Sequence, residues 1–390
     1  MHKAVVLGAR FGGSATAYWL HKLFARDQVQ VTVVDQWALM TYRPSLVMAA
    51  AGHPPMADQW HIAMKQRCET AGQHFIRDTI FRIDPERQLV YLATHPPLSY
   101  DTLFIATGSD PGWTSIAGLS PAIGGVCEDY LARETGARMR DSFSSIALCV
   151  GPLFQSPTDS PRLAGSLDAP AFEVAFLLDA WFRKQRRRDQ VTMTIVTPAA
   201  VPGEFLGPKS QELLSHALAQ RRIHLITNAQ YDHVSALEIF FKNKKPLHAD
   251  KMIWVPPYVG SELARISGID DGYGWIPVDE YCMHQKWPNI YAVGDISTTA
   301  LPKIGHMAML QARNAVHHFY ARQHKKKPSP VQPYVLHVGW MGRGIGLLTL
   351  SDWLYGGSRE LVHIGVSSAL AKAMFNHSYK TFSGWLPIMP

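Results

Sequence analysis

The 390-residue chain is 47% hydrophobic and 18% charged, with a formal net charge of +7 and a pI near 9.1. This is the balance of a globular protein with room for two to three domains. Its basic surplus suits an anionic cofactor or an anionic membrane surface, and the lack of any nucleic-acid module or basic–aromatic repeat argues against nucleic acid as a partner.

The opening stretch AVVLGARFGGSATAYWLHKLFARDQVQVTVVD organises the rest. An apolar run, Ala4 to Leu7, reads as a buried strand, and Gly8, Gly12 and Gly13 follow as a glycine-rich turn. A helical pattern through Ala15, Trp19 and Leu23 leads to a second apolar run that ends in Asp35. This is a βαβ unit with a dinucleotide fingerprint. Gly8 permits the tight turn, and Gly13 lets helix and strand approach. The helix N-terminus offers N–H groups to a pyrophosphate, and Asp35 is placed for a ribose diol. The middle glycine of the pattern is replaced by Arg10. Its guanidinium can lie along the phosphates, or it can block the site and leave the fold without its cofactor.

The chain after Asp35 mixes proline, methionine and aromatics to about residue 65, as in a loop or short helix over a ligand. Residues 74 to 94 read as two strands around Asp84-Pro85-Glu86. Leu103 to Ala106 is a buried strand, and Ala106-Thr107-Gly108 follows it, the place where such a domain closes on its cofactor. From residue 144 the pattern restarts with SSIALCVGP, but the next turn, LFQSPTDSP, has no glycine fingerprint. A second Rossmann-like domain is therefore expected that does not bind a nicotinamide dinucleotide in the usual way. The cluster Arg183, Lys184, Arg186, Arg187 and Arg188 reads as a solvated helix end.

The sequence then returns to the first domain. Asn289 to Val293 is a strand closed by Gly294 and Asp295, and Lys303 precedes a helical run from about Ile304 to Tyr320. Asp295 can hold a ribityl hydroxyl. The helix N-terminus, reinforced by Lys303, can face the pyrimidine edge of a flavin, where negative charge collects on reduction. Residues 321 to 334 read as a linker, and the tail carries Trp340, Trp353, Leu354, Trp385 and Leu386 among lysines and glycines. Tryptophan with lysine on short apolar helices suits an interfacial anchor, and equally a dimer interface or lid.

The four cysteines, Cys68, Cys127, Cys149 and Cys282, form neither a C-x-x-C nor a zinc spacing, so no metal site is expected. No apolar run reaches the ~18–20 residues of a transmembrane helix. The opening MHKAVVLG reads as a strand and not as a secretory signal, so a reducing, cytoplasmic-side location is expected.

In this order VVLGARFGG, IATG, YAVGD and LPKIG resemble the flavin disulfide-reductase-like superfamily. Within it the chain is most similar to sulfide:quinone oxidoreductases, with type II NADH dehydrogenases as cousins. The resemblance spans about residues 3 to 320 and, loosely, the tail. It implies an α/β fold of two Rossmann-like (three-layer ββα) dinucleotide-binding-type domains plus a C-terminal helical, aromatic-rich region. The expected division is residues 1–115 and 256–322 for FAD, 116–255 for the second domain, and 323–390 for linker and membrane association or dimerisation. The implied cofactor is FAD, held by Gly8, Arg10, Phe11, Gly12, Gly13, Asp35, Pro44, Ala106, Thr107, Gly108, Gly294, Asp295 and Lys303. The implied partners are a quinone, a small reduced donor and a membrane surface met peripherally by the tail, with a homo-oligomer possible. Glu173, in the family's aromatic-Glu position, is implied as a proton-handling group, and Cys127 matches a third family cysteine.

The family's redox cysteine pair is missing, because GPLFQSPTDSP holds no cysteine and none follows Cys282. Without it, sulfur cannot be relayed through a disulfide. The reading is thus an FAD-dependent oxidoreductase passing electrons from a small reduced donor, sulfide or another sulfur compound among the candidates, to quinone. The alternatives are a non-catalytic relative serving as a binding or assembly subunit, and an NADH:quinone reductase with an atypical donor site.

Overall fold

The computed structural model describes residues 1–52, 61–157, 161–299 and 301–381; Trp385 and Leu386 of the tail lie outside the described residues. Two parallel sheets carry the fold. The first runs in the order Ile290–Ala292, Thr102–Ile105, His2–Leu7, Val29–Asp35, His74–Arg77. Its central strands are apolar runs buried on both faces, as a parallel sheet covered by helices requires. The strand Ile290–Ala292 comes from late in the chain, so Gly294 and Asp295 arrive beside Ala106 and Thr107 at the carboxyl ends of the strands.

The glycine turn is explained by contacts. Gly8 has φ +89°, and a Cβ there would stand 2.5 Å from the carbonyl oxygen of Ala106. At Gly13 a Cβ would stand 1.8 Å from the carbonyl oxygen of Gly8. The helix Phe11–Leu23 can start against the strand only because both side chains are absent.

The second sheet runs Ile223–Ile226, Thr192–Val196, Ser145–Val150, Lys251–Val255, all parallel. The strand Ser145–Val150 is not followed directly by a helix. The chain makes a turn back on itself, in which Leu153 N–H donates to Ala164 O at 3.1 Å, and only then begins the helix Ala169–Lys184. Leu153 and Leu163 are pinned in the core. Cys149 is a buried core residue of this sheet.

Two sequence expectations change. The basic cluster at 183–188 is not wholly solvated: Arg188 is buried and donates to Asp179 at 2.7 Å and to the carbonyls of Val191, Arg221 and Arg222. A chain reversal that leaves carbonyls facing inward needs a multidentate donor, and a guanidinium supplies one. The tail is sheet before it is helix. Val335–Trp340, Gly346–Ser351 and Glu360–Gly365 form an antiparallel sheet, followed by the helix Val366–Thr381. In Leu347–Ser351 buried and more exposed positions alternate, a period of two that a helix cannot satisfy. Gly342, Arg343 and Gly344 make the turn with positive φ.

Candidate functional site

One cavity of about 270 Å³ lies at the carboxyl ends of the first sheet, between it, the helix Ala169–Lys184 and the C-terminal region. Arg10, Phe11, Gly12, Pro44, Ala106, Thr107, Gly108, Cys127, Glu173, Gly294, Asp295 and Lys303 all line it. Residues scattered over three hundred positions of sequence thus meet at one place. Gly8, Gly13 and Asp35 stand outside the lining. The two glycines shape the turn, and the Asp35 carboxylate accepts the N–H groups of Ala9 at 2.7 Å and Trp37 at 2.8 Å. Asp35 therefore fixes the turn from behind; a ribose contact would use its remaining lone pairs.

The lining leans positive. Arg10, Arg43, Lys303 and Lys372 face the carboxylates of Glu173 and Asp295. Arg43 pairs with Glu128 at 2.7 Å, and Arg10 reaches the same carboxylate only at 3.9 Å. The positive charge of Arg43 is the main influence pulling the Arg10 pKa down, with burial second. Two guanidiniums sharing one carboxylate leave charge to be met by an anion. The Arg10 side chain lies at the edge of the cavity, toward Glu128.

The helix Gly305–Gln323 starts at the cavity, with Ile304, Gly305, His306 and Ala308 in the wall. Its N-cap, Ile304, offers no side-chain acceptor, so its first N–H groups stay available. A Cβ at Gly305 would meet the Phe11 ring at 2.9 Å, so the helix end sits tight against the first helix. Lys303 is buried and its ammonium is committed: it donates to Asp295 O at 2.8 Å and Ser297 O at 3.1 Å and lies 4.2 Å from the centre of the Trp275 ring. It braces the Gly294–Ser297 turn, and its charge works on the cavity from that fixed position. Burial raises the Asp295 pKa, opposed by Lys303, Arg43 and Arg10. Cys127 is buried beside Tyr258 and Arg43; burial pushes its thiol up, and Arg43 and a hydrogen bond from Tyr258 pull it back.

Of the opposite wall, the sequence pointed to Glu173 but not to Lys372 or His337. Glu173 Oε2 accepts the N–H of Trp340 at 3.0 Å and lies 3.4 Å from Lys372 Nζ, which also donates to Val338 O at 2.8 Å. Burial raises the Glu173 pKa against the pull of Lys372 and Trp340 N–H. Burial and the charge of Lys372 push His337 down to about 3, so its ring is neutral at physiological pH. Burial pushes His306 down to about 4. Lys372 comes from a helix two hundred residues after Glu173 and His337 from a strand, so neither carries a local motif. A lysine within the apolar helical run SSALAKAMF was the one available signal. Arg43 and Tyr258 were likewise missed, each being a single residue in a short element, a 3-10 turn and a two-residue strand, that carries no sequence pattern.

The glycine turn, the surplus cations and the open helix N-terminus fit the pyrophosphate and the electron-rich edge of a flavin dinucleotide. Among the described residues no group of side chains is placed to hold a metal ion.

Comparison with known proteins agrees. The sequence pattern of the family described as pyridine nucleotide-disulphide oxidoreductase matches residues 2–140 and 171–318. The chain is 23% identical over 337 residues to a sulfide-quinone reductase of Aquifex aeolicus, covering 80% of this chain and 75% of that one. To the mitochondrial sulfide:quinone oxidoreductase of Mus musculus it is 22% identical over 331 residues, covering 81% and 69%. The X-ray structure of the Aquifex aeolicus sulfide:quinone oxidoreductase superposes with a TM-score of 0.86 at 19% identity, over 98% of this chain and 92% of that chain. NDH2 from Plasmodium falciparum in complex with NADH superposes at 0.76 with 13% identity, over 98% and 97%. At these identities the superpositions establish the fold.

Proposed function

The chain belongs to the pyridine nucleotide-disulphide oxidoreductase family, as a member similar to sulfide:quinone oxidoreductases, and within it we propose an FAD-dependent oxidoreductase that reduces a quinone. One observation carries the reading: the cofactor turn and open helix end share a single cavity with the Glu173, His337 and Lys372 wall built by the C-terminal region. FAD, the cofactor of this family, takes electrons from a donor and passes them to an acceptor. Arg10 and Arg43 would hold its diphosphate, and Gly294 and Asp295 its ribityl chain. The N-terminus of Gly305–Gln323 would offset negative charge gathering on the ring. Glu173, beside Lys372, would hold or release a proton at the cavity wall.

The donor is a small reduced compound, sulfide among them. Cys127 is the one cysteine in the lining; Cys68, Cys149 and Cys282 are buried free thiols in other parts of the fold. A donor must therefore reach the flavin without a disulfide relay. NADH is disfavoured because the chain reversal after Val150 takes the place of a phosphate turn. The test is the visible spectrum of the washed protein, then anaerobic addition of sulfide, of NADH and, after photoreduction, of a short-chain ubiquinone. A flavin spectrum with rapid reoxidation by the quinone is expected. A protein with no flavin after incubation with excess FAD would instead be a binding or assembly subunit, with Arg10 as the cause. Bleaching by NADH would reverse the donor assignment.

Peripheral membrane contact, on the cytoplasmic side that four free thiols suit, is the second element of the proposal. Among the described residues no helix is long and apolar enough to cross a membrane. The helix Val366–Thr381 exposes Val366, Leu370 and Met374, four residues apart and so on one stripe, each about 60% exposed or more. Leu361 is exposed in the adjoining sheet, and Trp353 in the short 3-10 turn between two of its strands. Leu370→Ser with Met374→Ser is expected to lower binding to anionic liposomes by roughly tenfold or more, since each apolar side chain withdrawn from lipid costs on the order of 1.5–3 kcal/mol. Flotation reads this directly. Unchanged flotation would make the stripe an interface between copies or a lid.

A further inference from the structure

Glu173 and His337 also border a second, smaller cavity, of about 20 Å³, which is space for one water. Asp168 and Gly203 line it as well. Asp168 is 4% exposed. Its Oδ2 accepts the N–H of Gly203 at 2.7 Å, and its Oδ1 is buried with no partner among the described residues. A buried carboxylate oxygen left without a donor is costly to ionise, and the N–H groups of Gly203 and Glu204 offset the burial of Asp168 only in part. The next residue, Glu204, is half-buried and accepts the N–H groups of Ala164 at 2.8 Å and Gly165 at 3.3 Å. Glu204 is near enough for its charge to act on the Asp168 carboxyl, and Asp168 shares the small cavity with Glu173 of the main cavity's wall.

We propose that Asp168 is a proton-relay residue, passing protons from Glu204 through a water in the small cavity to Glu173 at the quinone-facing wall. This rests on the quinone-reductase reading. Converting a quinone to its quinol takes two electrons, which come from the donor through the flavin, and two protons, which come from solvent. In the relay the O–H bond of Asp168 breaks as a new O–H bond forms on the bridging water. The water passes a proton to Glu173, and Glu204 returns one to Asp168. Burial, with the neighbouring Glu204 charge adding to it, pushes the Asp168 carboxyl up to about 7. Burial raises Glu204 as well. The charged or titratable groups facing Asp168 are Glu204 on its own side and Glu173 and His337 across the small cavity.

The experiment compares wild type with Asp168→Asn, whose amide oxygen still accepts the Gly203 N–H. Photoreduced holoprotein is mixed with a short-chain ubiquinone in a stopped-flow cell from pH 5.5 to 8.5. Wild type should slow as pH rises through about 7, where the proton donor is lost. Asp168→Asn should be slower by about tenfold or more at pH 6 and show no such step. Glu204→Gln, nearer the surface, should slow the same step to a lesser degree and serves if Asp168→Asn does not fold. Difference infrared spectroscopy on the resting holoprotein gives a reading independent of turnover: a protonated-carboxyl band that titrates near neutral pH and is absent from Asp168→Asn. An Asp168 ionised across the whole range overturns the relay. So does an Asp168→Asn protein that keeps pace with a wild type that reduces the quinone. A wild type that does not reduce the quinone removes the function reading, and the relay with it.

Discussion

Lys372→Met is expected to lower the unfolding free energy by about 3–5 kcal/mol at pH 8, the usual cost of leaving one partner of a buried ion pair uncompensated. The side chains of Lys372 and Glu173 are 5% and 9% exposed, so solvent does little to screen the loss. The sign with pH follows from Glu173. Its folded pKa is raised above the ordinary glutamate value even with Lys372 present. Folding is thus favoured by the protonated form, and this contribution is lost as pH rises through the folded pKa. Removing the lysine raises that pKa further. The deficit of the variant should therefore be small near pH 5 and grow toward pH 8, as urea denaturation at the two values will measure. Glu173→Gln combined with Lys372→Met should recover most of the stability, since Gln still accepts the Trp340 N–H and no charge is stranded. It should not recover quinone reduction, because the titrating group is gone. A double variant as unstable as the single one would mean that Lys372 acts through its packing.

Gly13→Ala should be more severe, with a loss above about 4 kcal/mol or no recoverable flavoprotein. The new Cβ would stand 1.8 Å from the Gly8 carbonyl oxygen and 2.7 Å from its carbon. Both are backbone atoms in a turn already held by Gly8 N–H donating to Val34 O at 2.8 Å, so no side chain can give way. Gly108→Ala is the control. It too borders the site, at φ +82°, but its Cβ would meet nothing within 4 Å. It should cost only the left-handed strain, about 1–2 kcal/mol, and keep its flavin. Thermal unfolding and the flavin absorbance of the purified variants separate the two. Equal losses would move the cause from the close approach to glycine flexibility in general.

The chain's own order of residues settled the half of the site that depends on local backbone. The run from Ala4 to Asp35, the Ala106-Thr107-Gly108 turn, the Gly294-Asp295 turn and the helix after Lys303 are each short segments. Their chemistry follows from glycine spacing and strand-to-helix punctuation, and the sheet order brings them together at the strand ends, where such folds place ligands. The absence of a cysteine pair and of a second glycine turn was equally plain, since a missing residue type needs no tertiary context.

What lay beyond reach were side chains whose meaning depends on a distant partner. Lys303 looked like a cation aimed at a ligand, and the fold gave its ammonium two carbonyls of the neighbouring turn. Arg188 looked like part of a solvated cluster, and the fold buried it against Asp179 and three carbonyls. Asp168 gave no sign in sequence of its orphaned oxygen. The tail's alternation was masked by its glycines and tryptophans, so a sheet read as helices. Glu173 was visible, but its lysine is supplied by the last helix, across a separation that no periodicity spans. Sequence determines which backbone segments can turn, cap and pair, because those preferences act over a few residues. Only the tertiary structure decides which charges are buried together, because that is set by the packing of elements whose separation along the chain carries no energetic signal.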